Sequence, residues 1–195
     1  ASYLRNNLNI IKIDDQLHIY REGVYVDGLH AIEKEMIKII PTLSARNRSE
    51  VIKYLYLIAP TVTNMADARY IPFKNGIYNI EDCKLEPFRP EIIIKNKIPF
   101  NYNYDAYNET MDKMLDRVSC YDDQIRDLLE ELAGYIFYRR NELRKGFIFI
   151  GDKANGKSTY MDCLNYMVGA DNRTALDLKE LGDRFRTAEL FGKLI

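Results

Sequence analysis

The stretch from Gly146 to Gly169, GFIFIGDKANGKSTYMDCLNYMVG, constrains this chain more than any other. Its apolar opening, Phe147-Ile148-Phe149-Ile150, predicts a buried strand. A tight polar turn of Gly151, Asp152, Lys153, Ala154, Asn155 and Gly156 follows. Lys157-Ser158-Thr159 then opens a helical pattern with Met161, Leu164 and Val168 on one face and Gly169 as its stop. Gly151-x-x-x-x-Gly156-Lys157-Ser158 fits the P-loop pattern, and strand, loop and helix in that order are its expected context.

The spacing has a chemical reason. A phosphate chain needs inward-pointing backbone N–H groups, and glycines let the backbone come close with positive φ. A helix starting at Lys157 adds unpaired amides and the positive end of its dipole. In this reading Lys157 reaches the β- and γ-phosphates of ATP as the catalytic cation, and the Ser158 hydroxyl joins the shell of Mg²⁺. Gly151, Asp152, Lys153, Ala154, Asn155, Gly156 and Thr159 line the nucleotide. The alternative is a glycine-rich turn between a strand and a helix, with Ser158 acting only as a cap.

The remaining composition narrows the class. With 28 basic and 29 acidic residues the net charge is −1, so no global basic field marks a nucleic-acid binder, although a local groove stays open. Cys83, Cys120 and Cys163 are odd in number and widely spaced. With only His18 and His30 beside them, they support neither a disulfide framework nor a zinc site. A reducing cytoplasm fits. No apolar run approaches the roughly 18 residues of a membrane span. Fifteen tyrosines and no tryptophan pose the question of a base-stacking platform. Ordinary half-buried tyrosines are the competing explanation.

Before the P-loop the pattern alternates between strands and helices. Residues 3–28 predict a small β unit: Leu8, Ile10, Ile11 and Ile13, then Leu17-His18-Ile19-Tyr20, a turn at Arg21-Glu22-Gly23, and Val24-Tyr25-Val26. His18 inside a strand reads as structural. Leu29, Ile32, Met36, Ile39 and Ile40 mark an amphipathic helix stopped by Pro41. A second helix, capped by Ser49, carries Val51, Ile52, Leu55, Ile58 and Ala59 and stops at Pro60. Arg46 and Arg48 lie between them, in a solvated loop or against phosphate. Helices followed by short strands would make a winged-helix-like unit.

Strands return at 70–80, with an Asn75-Gly76 turn signal, and at 85–88 after a turn at Glu81-Asp82-Cys83-Lys84. Ile92-Ile93-Ile94 and Ile98-Pro99-Phe100 add short extended pieces, and 101–108 reads as a loop or linker. Met111, Met114, Leu115 and Val118 mark one helix. Ile125, Leu128, Leu129, Leu132, Ala133, Ile136 and Phe137 mark the next, with Asp122 at its start. Arg139, Arg140, Arg144 and Lys145 follow. A helix C-terminus favours cations, which would explain Arg139 and Arg140; a DNA-facing basic patch is the alternative for all four.

After the P-loop helix, 176–181 and 183–190 predict short helices, and Phe191-Gly192-Lys193-Leu194-Ile195 begins another apolar run. A P-loop ATPase needs a second strand ending in acidic residues to hold Mg²⁺ and orient water. No such strand is completed, so the expectation is an ATPase domain cut before its Walker B acids.

Three stretches together resemble the phage, plasmid and poxvirus primase–helicases whose motor belongs to helicase superfamily 3. The first runs from Ile71-Pro72-Phe73-Lys74-Asn75-Gly76 through Ile98-Pro99-Phe100. The second is 128–137 with Gly134, followed by 147–151. The third is 151–159 with Gly169, Leu181, Arg184-Phe185 and Leu190-Phe191-Gly192-Lys193-Leu194. The likeness covers most of 70–195 and is loose over the first 60 residues. It implies a replicative DNA helicase that hydrolyses ATP as a hexameric ring, commonly with a primase domain upstream. It makes Gly151, Gly156, Lys157 and Ser158 the Walker A residues. The expected architecture is an α+β domain over 1–107, a helical connector over 108–143 and the start of an α/β P-loop domain over 144–195. The fragment is expected not to hydrolyse ATP by itself. Two other readings stand beside this one: a DNA-binding or ring-assembly module over 1–140 with the P-loop part as passenger, and an unrelated P-loop enzyme such as a small-molecule kinase.

Overall fold

The computed structural model describes residues 1–140, 142–182, 190 and 193. The helix expected at 183–190 and the apolar run at 191–195 therefore lie outside the described residues, apart from Leu190 and Lys193. The chain forms two compact units, Ala1–Asp67 with Pro87–Asn96, and Ala68–Glu86 with Lys97–Ile195. Among the described residues there are six α-helices and two small sheets, a mixed α+β architecture. None of these helices is long and apolar enough to cross a membrane.

The first unit is built on two tight turns. Strand β1 (Ile11–Ile13) turns through Asp14 and Asp15 into β2 (Gln16–Arg21), and β2 turns through Glu22 and Gly23 into β3 (Val24–Asp27). All four turn residues have positive φ, from 46° to 90°. That is the two-residue turn whose twist matches paired strands. The hairpin expected at Arg21-Glu22-Gly23 is present. The one at Asp14-Asp15 and the short helix α1 (Ser2–Asn7) were not legible in the pattern.

Helices α2 (Leu29–Ile39) and α3 (Ala45–Ile58) follow, and β4 (Thr61–Val62) returns parallel to β1, giving the sheet order β3-β2-β1-β4. The hairpin strands of this unit precede its two long helices, in the order that the pattern over 3–59 predicts. Ile10, Leu17, Ile19, Ile32, Met36 and Leu55 form the core under the helices. On the other face Ile11, Ile13 and Tyr25 are buried, with Ile93 packed against them. Tyr25 ties the 87–96 segment down: its backbone N–H donates to Ile94 O and its hydroxyl to Pro90 O, both near 2.8 Å. His18 is buried, with Nδ1 3.0 Å from Gln16 O.

Helix α3 begins earlier than its pattern predicts. Ser44, not Ser49, is the N-cap, and its Oγ accepts from Asn47 N at 3.2 Å. Arg46 and Arg48 are consequently inside the helix. Arg48 donates to Leu43 O at 2.8 Å and faces Glu33 at 3.6 Å, so the loop reading of these arginines is corrected. The polar first turn hid the start, because only the apolar stripe carries the period.

In the second unit β5 (Tyr70–Phe73), β6 (Gly76–Asn79) and β7 (Lys84–Glu86) make an antiparallel sheet in that order. Phe73 pairs with Gly76, so the turn residues are Lys74 and Asn75. Asn75 exchanges two hydrogen bonds with the Tyr102 backbone, at 2.8 and 3.0 Å. The 98–100 piece runs beside β5 through Ile98 N to Pro72 O and Lys74 N to Phe100 O, at 2.8 and 2.9 Å. Pro99 between them has no N–H, and no strand forms there.

Helices α4 (Glu109–Val118), α5 (Asp123–Tyr135) and α6 (Lys157–Val168) complete this unit. Asn108 and Asp122 cap α4 and α5. Helix α5 stops two residues before its expected end, and Ile125 and Leu128, expected in the core, are exposed. Two 3₁₀ turns, Ala170–Asn172 and Leu178–Gly182, follow α6. The second replaces the helix expected at 176–181.

The strand expected at 147–150 does not form. No strand among the described residues pairs with it, and Ile148 and Ile150 are 87% and 89% exposed. An apolar run becomes a buried strand only beside neighbours that take its backbone hydrogen bonds.

The Ser44 cap gives a direct test. Ser44→Ala should cost the first unit about 1 kcal/mol, whereas Ser49→Ala on the exposed face should stay within about 0.5 kcal/mol. Urea unfolding followed by amide exchange at Leu55 distinguishes them.

Candidate functional site

Helix α6 is fixed in the second unit by a stripe at four-residue spacing. Tyr160, Leu164 and Val168 are buried in a core with Ile98, Leu115, Leu129 and Leu132. The pattern named Met161, Leu164 and Val168; Met161 is instead exposed. Tyr160 takes the inward position, and its hydroxyl is satisfied there, donating to Leu129 O at 2.5 Å. Burial pushes this phenol up to about 12.

Both ends of α6 are held by glycines. At the front, Gly156 is the N-cap with φ 89°, and a Cβ there would sit 2.7 Å from Val118 Cγ2, at the end of α4. At the rear, Gly169 has φ 84°, and a Cβ would sit 2.5 Å from the Pro99 ring. Asn172, fully buried, adds two bonds, donating to Val168 O at 2.7 Å and Lys97 O at 3.0 Å.

The P-loop candidate is therefore the lead-in to a firmly seated helix. Ala154 takes φ 60° and Gly156 φ 89°, so the loop curls back on itself. Lys157 points into that curl, donating to Gly151 O, Asp152 O and Asn155 Oδ1 at 2.8, 2.7 and 2.7 Å. A Cβ on Gly151 would meet the Asn155 amide and lie 3.5 Å from Lys157 Nζ. A glycine backbone, an ammonium and a helix N-terminus thus meet at one place. That is the chemistry a phosphate chain requires. Ser158 and Thr159 lie exposed on the first turn, and Asp152 and Lys153 are exposed in the loop. Among the described residues no group of three or more His, Cys, Asp and Glu side chains could hold a metal ion.

The four basic residues lie beyond the last turn of α5. The helix ends at Tyr135, and Arg139, Arg140, Arg144 and Lys145 follow in irregular chain. A helix dipole acts only over the last turn, which removes that explanation for Arg139 and Arg140. Arg140 pairs with Glu142 at 3.0 Å, Arg139 is partly buried, and Arg144 and Lys145 are exposed. Two of the tyrosines pack within the second unit. Tyr78 and Tyr102 stack on one another with ring centroids 4.5 Å apart, and Phe73 packs on Tyr102 at 5.4 Å.

Sequence reasoning missed the clamp that holds α4 to α5. Arg126 donates to Asp112 and Asp116 on α4 and reaches Glu130 on its own helix at 3.1 Å. The Arg126 guanidinium holds the Asp112 carboxyl below the usual carboxylate range. The signal was present as two acids at four-residue spacing on one helix and an Arg–Glu pair at the same spacing on the next.

A family model described as D5 N terminal like matches residues 8–120. That is more than half of the chain. The chain belongs to the D5 N terminal like family. The family is the N-terminal region of D5-like primase–helicases of phage and plasmid type, so this is a primase–helicase-type replication protein. The match begins at residue 8, in the part where the resemblance drawn from the sequence was loosest, and it ends before the P-loop candidate. No curated protein matches the chain.

Two measurements test this geometry. Gly156→Ala should lower the melting temperature, since an L residue at left-handed φ costs about 1–2 kcal/mol and Val118 must also move. Stability should fall between pH 10 and 12, because folded Tyr160 and Tyr25, both pushed up to about 12 by burial, keep protons that the unfolded chain has released. Tyr160→Phe should reduce that fall and leave the share of Tyr25; an unchanged alkaline limb would refute the assignment.

Proposed function

We propose that the loop 151–159 binds the phosphates of ATP in the ATPase core of a superfamily 3 replicative helicase. The observation that carries this reading is Lys157, held at the first turn of α6 inside a loop of two glycines and a left-handed alanine. Bound MgATP would supply the cleavable γ-phosphate. Lys157 would neutralise charge on the β- and γ-phosphates, the backbone amides of 154–158 would orient them, and Ser158 would face the metal. The family assignment over 8–120 supports the replication context independently, because it does not include the loop.

In this reading DNA is the partner and the whole protein works as a hexameric ring. Arg139, Arg140, Arg144 and Lys145 form a basic approach to the loop, weakened at Arg140 by its pairing with Glu142. The exposed cations Arg144 and Lys145 are the stronger candidates for phosphate contact.

Two outcomes are expected. MgATP at a hundred times its dissociation constant should stabilise by about 2.7 kcal/mol, a melting shift of roughly 5–11 °C for a chain of this size. Lys157→Ala should lose the shift, and its persistence would sink the site. Changing the four basic residues together to Ala should weaken DNA binding and flatten its salt dependence. An unaltered salt slope would remove them from the interface.

A further inference from the structure

Lys157 directs all of its hydrogen bonds into the loop that carries it. An ammonium has three donors, and the three acceptors are Gly151 O, Asp152 O and Asn155 Oδ1. Two belong to the main chain of the loop's opening turn. The third is a side chain. The amide nitrogen of that same side chain stands over Gly151, where a Cβ would otherwise lie. Asn155 therefore bridges the loop's first glycine and its lysine.

We infer that Asn155 is a latch on Lys157: its side-chain carbonyl and a phosphate oxygen compete for the same ammonium proton. This rests on the nucleotide reading given above. The latch sets how readily the loop gives up its lysine, so Asn155 is a positioning residue that tunes affinity and touches no reacting atom. Asn155 does not have positive φ, so alanine can replace it without backbone strain. Asn155→Ala removes the competitor and leaves the two main-chain acceptors. Asn155→Asp replaces it with a carboxylate, which grips the ammonium harder and repels phosphate.

The test is calorimetric titration of the 195-residue chain with MgADP, alongside acetylation of Lys157 followed by mass spectrometry without nucleotide. Asn155→Ala should bind MgADP about tenfold more tightly, the low end for a hydrogen bond to a charged group, and Lys157 should label faster. Asn155→Asp should bind more weakly and label more slowly. Where the unaltered chain binds MgADP, weaker or unchanged affinity in Asn155→Ala overturns the latch, and unchanged labelling overturns it in every case. Faster labelling in Asn155→Ala with no MgADP binding by any form would keep the latch and overturn the nucleotide reading instead.

Discussion

The burial of one helical stripe organises the second unit. Tyr160, Leu164 and Val168 lie against Leu115, Leu129, Leu132 and Ile98, and everything distinctive about the candidate site depends on that contact. Each such side chain contributes about 1.5–3 kcal/mol when fully buried. Together they fix where the first turn of α6 stands. The glycine contacts at Val118 and Pro99 then set its position along its own axis. A loop of polar residues and glycines has little stability of its own, so its shape is inherited from the helix it feeds.

The same unit joins two parts of the sequence of different standing. Residues 97–120 lie inside the family match, whereas 121–169 lie outside it, yet both contribute to one core. Leu115 and Val118 of α4 lie inside the family match and pack in one core with α6. The Arg126 clamp reinforces this arrangement, tying α4 to α5 through Asp112 and Asp116. The family region is accordingly not a separate bead on the chain. Part of it builds the platform on which the loop sits, and the rest forms the first unit with its own core.

Where local rules decide, the sequence was readable. Amphipathic spacing located α2, α4 and α6, and Gly169 stopped α6 as its left-handed φ requires. The turn at Glu22-Gly23 followed from residue type, and the one expected at 81–84 forms one residue earlier, at 80–83. Errors arose where a choice between neighbours depended on partners. Met161 and Tyr160 are adjacent, and Tyr160 is the one buried on the stripe with Leu164 and Val168, its hydroxyl on the Leu129 carbonyl. Ser44 and Ser49 both make good caps, and the packing of α3 selected the earlier. Phe147-Ile148-Phe149-Ile150 has the composition of a buried strand and is not one, because a strand is a pairing and not a property of four residues.

The sequence by itself determined the chemistry available at the site: a phosphate-compatible loop requires glycines at 151 and 156, a lysine at 157 and a helix after it, all local and all consecutive. Tertiary structure decided which atoms those groups touch. It turned Lys157 onto Gly151, Asp152 and Asn155, and carried the basic residues past the end of α5. It also brought Val118 against Gly156 from 38 positions away. The physical reason is range. Conformational preference and spacing act within a few residues, whereas burial, hydrogen-bond partnership and steric contact are settled only when distant segments are packed together.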